Sequence, residues 1–214
     1  MTSSARRPDV AAIAVFAKAP VAGAVKTRLA PRLTAADAAR LHASLVRHAL
    51  GAAVIASPGR VTLWCAPDAA HPFFAGCAAE FGVGLRAQQG ADLGARMRHA
   101  FEASLAAGPL VLIGTDCPEL DAAALGRAAD ALRCHEAVLA PAEDGGYALV
   151  GLTRLVPELF DGIAWGGAGV MTASRERLVQ AGALWTELPT TWDVDRPEDY
   201  DRLCREGWLA GLPA

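Results

Sequence analysis

Short apolar runs separated by helix-length amphipathic stretches recur along the whole chain, and this alternation limits the possible folds more than any other feature. Runs at 10–16, 61–66, 84–88, 110–114 and 137–140 have the length of strands and few polar residues. Strands that read as nearly continuous apolar runs are buried on both faces. Between them, 34–56, 71–81, 92–107 and 121–134 carry helical patterning. Thr34 followed three residues later by Asp37 is a carboxylate variant of the capping box at a helix start. The alternation predicts βαβ units with right-handed crossovers, in a mostly parallel sheet covered by helices on both faces.

The later part departs from strict alternation. A strand at 147–152 follows an Glu143-Asp144-Gly145-Gly146 turn, which either closes a hairpin or leads to a strand elsewhere in the sheet. A Gly- and Trp-containing stretch at 161–169 leads to a helix at 170–181, a strand at 184–188 and a last helix from Pro197, a residue suited to a first helical turn. With no repeat, linker or second hydrophobic centre, residues 1–214 are predicted to form one domain, with 1–9 as a flexible N-terminus.

Composition excludes several function classes. A net charge of −3 lacks the basic excess of a nucleic-acid-binding surface, so any cation that acts must act locally. Five cysteines, an odd number without a CxxC pair, suit reduced thiols in a cytoplasm rather than a disulfide framework or zinc knuckle. No HExxH spacing is present. The first apolar run is too short to span a membrane and lacks a signal-peptide cleavage region, so a cytoplasmic protein is expected.

The chemistry-bearing residues cluster after the strands. FAKAPVAGAVKTRL (16–29) places Lys18, Lys26 and Arg28 at the end of the first strand. In an open α/β sheet ligands sit beyond the strands' carboxyl ends, and such cations suit a polyphosphate. In GTDCP (114–118), at the end of the very apolar PLVLIG, Asp116 is either a hard-cation ligand or a helix cap. In WDVDRPED (192–199), Asp193 and Asp195 alternate and share one side of an extended segment, where one of them can complete a metal site; the same residues also suit an ordinary helix start. PAEDGGY (141–147) reads equally as a ligand loop, with Glu143 and Asp144 accepting hydrogen bonds, or as a simple turn. In QQGADLGAR (88–96), Gln89 and Asp92 can meet a base or ribose and Arg96 a phosphate, or Asp92 can cap a helix. P-loop spacing, GxGxxG in the first strand–helix turn and GxSxG are all absent. Cys117 beside a carboxylate is a poor nucleophile.

In this order, FAKAPVAGAVKTRL, QQGADLGARM, GTDCPEL, PAEDGGYALVGL and WDVDRPEDY resemble the radical-SAM/selenodomain-associated transferase 1 family over about residues 11–203. The resemblance implies the nucleotide-diphospho-sugar transferase superfamily, with its GT-A-type three-layer α/β/α sandwich around a mostly parallel, mixed sheet. It further implies phosphate contacts from Gly23, Lys26 and Arg28, with Ala17 and Lys18 in the same nucleotide-binding loop. Asp116 takes the place of the metal-binding aspartate, and Asp195, with Asp193 as an additional candidate, supplies the second carboxylate for Mg²⁺ or Mn²⁺. Glu143, Asp144, Gly145, Gly146 and Tyr147 fall where an acceptor or sugar lies. Two departures stand out: the Lys18-Ala19-Pro20 stretch in the first loop, and the lack of a full DxD at GTDCP. The expected activity is metal-dependent nucleotidyl transfer from an NTP to a small phosphorylated or hydroxylated acceptor, with Lys26, Arg28 and Asp116 catalytic. The alternatives are a glycosyltransferase using a nucleotide-sugar and a non-catalytic nucleotide-binding module.

Overall fold

Seven strands make a single sheet among residues 10–212, the part of the chain that the computed structural model describes. The expected flexible segment 1–9 lies outside the described residues. The strands are β1 (Ala12–Lys18), β2 (Val61–Ala66), β3 (Gly84–Ala87), β4 (Leu110–Ile113), β5 (Ala137–Pro141), β6 (Tyr147–Leu152) and β7 (Trp185–Glu187). The helices are α1 (Ala35–Ala56), α2 (Pro72–Phe81), α3 (Leu93–Ser104), α4 (Ala122–Ala131), α5 (Val170–Gln180), α6 (Pro197–Arg205) and the short α7 (Trp208–Gly211). The expected first strand is displaced by two residues, because Val10 is exposed and pairing with β2 continues to Lys18 opposite Ala66. The expected helix at 121–134 stops at Ala131, where the chain turns.

The strand order is β3-β2-β1-β4-β6-β5-β7. β6 runs antiparallel to both β4 and β5, while the remaining pairs are parallel. The Glu-Asp-Gly-Gly turn therefore closes a hairpin, and its return strand is inserted next to β4. The result is the expected mixed, mostly parallel α/β sheet.

Alternate residues of β1 serve opposite layers, as the period of two in a strand requires. Ile13, Val15 and Ala17 pack with α1, α2 and α4 through Leu50, Phe74 and Leu125. Ala14 and Phe16 pack on the other face with Met97 and Phe101 of α3 and Met171 and Leu178 of α5. A third cluster joins Leu29, the last residue of the first loop, to Leu41 and Leu45 of α1 and to Trp192, Val194 and Leu203 near the C-terminus. This cluster fastens residues 192–195 against the first loop, although about 165 residues of chain separate them.

Helix starts follow local chemistry. The Thr34 hydroxyl accepts the Asp37 N–H (3.1 Å), Asp92 accepts that of Ala95 (2.8 Å) and Asp121 that of Ala124 (2.7 Å). Each satisfies one of the orphan donors of a helix N-terminus.

Candidate functional site

From β1 the chain winds outward through β2 to β3 on one side, while β4 lies on its other side. The carboxyl ends of β1 and β4 thus flank a topological switch point, where open α/β sheets form a ligand crevice. The first loop leaves β1 there, and Gly114-Thr115-Asp116 leaves β4. Asp121, not Asp116, caps the helix after β4, so the Asp116 side chain is free for the crevice.

Lys26 and Asp116 meet at the floor of the crevice. The Lys26 side chain is 4% exposed, its ammonium 2.6 Å from Asp116 Oδ1 and donating to the Val194 carbonyl at 2.5 Å. Burial alone would raise the Asp116 carboxyl; Lys26, with smaller help from His42 and Lys18, outweighs it and holds the group below the usual carboxylate range. Oδ1 is buried while the side chain as a whole is 45% exposed, so the rest of the carboxyl is open to the crevice. Val194 N–H donates to the Asp116 carbonyl (2.9 Å), fixing the C-terminal segment against β4.

Trp192 and Val194 are buried, and their alternation turns Asp193 and Asp195 the other way. The two aspartates then take different partners. Asp195 accepts from Arg28 at 2.6 Å, an exposed pair. Among the described residues no Lys or Arg forms an ion pair with Asp193; burial first, then the charges of Asp144 and Asp116, push its carboxyl up to about 6 against a smaller pull from Lys26. Among the described residues no three His, Cys, Asp or Glu side chains form a ready-made cation cage.

Two cavities share Asp116, Gly114, Phe16 and Leu93. One, of about 450 Å³, is lined by Lys18, Lys26, Arg28, Arg96, Ala17 and Gln88 among others. The other, of about 270 Å³, lies toward Asp144, Asp193, Tyr147 and Trp165.

The remaining expected residues divide between these cavities and structural duties. Gly23 sits in the first loop with φ +80, a conformation that L side chains rarely adopt. Asp92 caps α3 and lines neither cavity, and Gln89 lines neither; Arg96 lines the basic cavity while donating to the Gly90 carbonyl at 3.2 Å. Glu143 is engaged by Arg202 through both oxygens at 3.1 Å, and the Arg202 guanidinium lies over Trp192 at 4.3 Å. Asp144 accepts from Gly146 N–H (2.8 Å) and lines the smaller cavity. Gly145, at φ +88, lies so close to the Ala168 carbonyl that a Cβ would stand 2.2 Å from it. The Tyr147 hydroxyl contacts the Met97 sulfur at 3.9 Å, and burial raises the phenol. Cys117 is likewise pushed well up, first by burial and then by Asp116.

Two residues join the site that had no motif to announce them. His42, buried on α1, places Nε2 3.0 Å from the Lys18 carbonyl, which requires that nitrogen to be the donor; Nδ1 lies 4.0 Å from Asp116 Oδ1. Burial lowers the His42 pKa below its ordinary value, against an opposing pull from the Asp116 carboxylate. Trp165 forms a wall of the smaller cavity, edge-on to Tyr147 (88° between planes) and packed over Gly94, where a Cβ would lie 2.5 Å from the indole nitrogen. His42 had only an apolar helix face as its signal, and Trp165 only its place in a Gly-rich stretch.

A mixed sheet of this order, with its crevice between β1 and β4, defines a protein of the nucleotide-diphospho-sugar transferase fold. The chain belongs to the family described as uncharacterized proteins conserved in bacteria (DUF2064), whose model matches residues 49–167. The crystal structure of a candidate nucleotide-diphospho-sugar transferase from Desulfovibrio desulfuricans G20 is similar at 32% identity and TM-score 0.82, covering 92% of this chain and 87% of that one. A cytidylyltransferase from Leptospira borgpetersenii shares the fold at 15% identity and TM-score 0.61, over 95% of this chain and 88% of that one. Rv0371C from Mycobacterium tuberculosis H37Rv, solved as a manganese complex, shares it at 23% identity and TM-score 0.57, over 91% and 98%. No curated protein matches the chain.

Proposed function

We propose that the protein is a divalent-metal-dependent transferase acting on a nucleotide, and that it transfers the nucleotidyl group of an NTP. One observation carries this reading: a crevice at the β1/β4 switch point whose basic half, with Lys18, Lys26, Arg28 and Arg96, meets an acidic half at Asp116. A polyphosphate suits the first half, since Arg and Lys make charge-assisted hydrogen bonds to its oxygens. The motifs that resemble the radical-SAM/selenodomain-associated transferase 1 family, and the transferase description of the Desulfovibrio relative, agree with it.

The residues fit a metal ion that travels with the nucleotide. Mg²⁺ typically uses one or two protein carboxylates plus substrate phosphates, so a three-residue cage is not needed. Asp116, with its open carboxyl surface, and Asp193, which forms no ion pair among the described residues, are the residues to hold it; Asp195 is engaged by Arg28. When bound, the metal supplies charge neutralisation and orientation of the phosphates. The protein's own part is positioning and electrostatics. Lys18, Arg28 and Arg96 hold the triphosphate. An acceptor oxygen bonds to the α-phosphorus as the bond to pyrophosphate breaks, and the acceptor's proton passes to the Asp144 carboxylate. The second reading, glycosyl transfer from a nucleotide-sugar with release of a nucleoside diphosphate, is favoured by the same relative and by Asp144 as base.

The test is thermal denaturation with ATP, CTP, GTP, UTP and UDP-glucose, each with and without Mg²⁺. A ligand that binds only the folded state at about a hundred times its Kd stabilises it by about 2.7 kcal/mol. At least one nucleotide is expected to raise the melting temperature only with Mg²⁺, and Asp116→Asn to abolish that rise. Helix α4 keeps its Asp121 cap in this variant, and the Asp116 carbonyl keeps its bond from Val194. A native chain stabilised by none of the five, or an unchanged Mg²⁺-dependent shift in Asp116→Asn, overturns the proposal.

A further inference from the structure

We infer that the nucleotide this chain takes carries a base with an exocyclic amino group, as cytosine, adenine and guanine do and uracil does not, and that Gln88 reads that group. The inference rests on the transferase reading and narrows its substrate class.

Gln88 directly follows β3, and its backbone N–H donates to the Cys65 carbonyl of β2 at 2.9 Å. Its side chain reaches back across β2 toward β1. There Nε2 donates to the Trp64 carbonyl at 2.9 Å and to the Ala17 carbonyl at 3.4 Å. Both hydrogens of the amide are thereby spent. The head group cannot turn over, because that would set Oε1 against two carbonyl oxygens. No group among the described residues donates to Oε1, and Oε1 is not a buried, unpartnered atom. It therefore opens on the basic cavity of about 450 Å³ that Gln88 lines. The sheet has fixed an acceptor at this wall and removed the donor beside it.

The other polar groups of the cavity do not compete for this role. Lys18, Arg28 and Arg96 hold the triphosphate in the proposed reading, and Lys26 is paired with Asp116. His42 is committed through Nε2 to the Lys18 carbonyl, and Thr115 adjoins Asp116 at the β4 end. The Thr27 hydroxyl can donate or accept and so favours no base. With the phosphates at the β1/β4 end, the base extends toward β2 and β3, where Gln88 carries the only side-chain amide among the described residues of the lining. Ala17 and the 45% exposed Leu93 offer apolar surface to the face of a ring.

Base chemistry then decides. The amines of cytosine, adenine and guanine project outward as donors, whereas a pyrimidine of the uracil type carries the acceptor O4 where cytosine has its amine. The ring donor of uracil, N3–H, lies between two carbonyl oxygens, so an acceptor that meets it also meets their repulsion. A free side-chain amide can serve uracil by accepting from N3–H while donating to a neighbouring oxygen. Gln88 cannot, because Nε2 is held by the sheet. A site built to hydrogen-bond an N–H rejects an analogue without it far more strongly than an apolar pocket rejects a small change of shape.

The test measures the affinity of the full chain for ATP, CTP, GTP, UTP and ITP, each with Mg²⁺, by isothermal titration calorimetry. UTP is the counterpart of CTP without its amino group, and ITP is that of both ATP and GTP. The tightest-bound of ATP, CTP and GTP should exceed its own counterpart at least about ten-fold. Gln88→Met keeps the side-chain length and removes the acceptor; it should bring that ratio below about two-fold while Mg²⁺-dependent binding persists. A native chain that binds UTP or ITP as tightly as the amino nucleotide overturns the inference, and this comparison stands whether or not the variant folds. A preference that survives in a folded Gln88→Met chain overturns the role of Gln88. Binding of none of the five overturns the transferase reading and the inference with it, whereas equal binding of all five overturns the inference alone.

Discussion

Lys26→Met tests whether Lys26 holds the place of a metal ion until a nucleotide arrives. The ammonium lies 2.6 Å from Asp116 Oδ1 and 2.5 Å from the Val194 carbonyl, on a side chain only 4% exposed. At that separation and an effective dielectric of about 20, the pair attracts by about 6 kcal/mol before desolvation. Breaking a fully buried pair by removing one partner costs about 3–5 kcal/mol, and the half-exposed Asp116 reduces this to about 2 kcal/mol. Losing the donor to the Val194 carbonyl adds about 1 kcal/mol. The backbone contributes little difference, since methionine at this φ of 50° is no more strained than lysine. Urea denaturation in the presence of a chelator should therefore show Lys26→Met less stable by about 3 kcal/mol, with Asp116→Asn added to it restoring part of the loss. Without the ammonium, the carboxylate is open to another cation, so calorimetric titration should find Mn²⁺ bound at least about ten-fold more tightly than by the native chain, equivalent to about 1.4 kcal/mol. The native chain should bind Mn²⁺ well only with a nucleotide, whose phosphates offer Lys26 a new partner. A variant as stable as the native chain, or one with unchanged Mn²⁺ affinity, refutes the placeholder role.

Two further outcomes are expected. Gly145→Val forces a β-branched residue into φ +88 with its Cβ on the Ala168 carbonyl; strain and overpacking together should cost about 3 kcal/mol in urea denaturation, and a loss under about 1 kcal/mol would mean the two loops separate freely. Glu136 accepts from Arg154 at 2.6 Å and from Leu184 N–H at 3.1 Å, and these two, the guanidinium first, hold its carboxyl below the ordinary 4.5. A depressed carboxyl contributes stability that is present above its unfolded value and disappears as pH falls through the lower folded value, so Glu136→Gln should flatten the decline of the urea midpoint between about pH 5 and pH 3; an unaltered acid limb would remove Glu136 from that decline.

The sheet was legible wherever burial on both faces made the sequence itself nearly apolar. Val61–Ala66 and Tyr147–Leu152 coincide with their expected runs, and Thr34, Asp92 and Asp121 start helices by chemistry that spans only three residues. The position of β6 was not legible. A Glu-Asp-Gly-Gly turn left a hairpin and a strand elsewhere in the sheet equally open; β6 returns antiparallel to β5, and its second edge pairs with β4 through Leu149 to Leu152, a choice made by the whole sheet. The ends of β1 and β4 could be read as facing one crevice because connectivity alone implies it.

The same distinction explains which parts of the site escaped the sequence. The alternation of Asp193 and Asp195 announced that they share a side, and the burial of Trp192 and Val194 before and between them agrees. What each aspartate meets depends on how the third hydrophobic cluster seats this segment against the first loop, since Leu29 on one and Trp192 and Val194 on the other are buried together. That seating gives Arg28 to Asp195 and the Val194 carbonyl to Lys26, across 167 and 168 residues. Asp193 is left beside the charges of Asp116 and Asp144, with no ion pair among the described residues. The polar contacts of the crevice are thus consequences of apolar packing behind it, and a change such as Val194→Ala, which touches no charged group, should loosen Lys26 and Arg28 together.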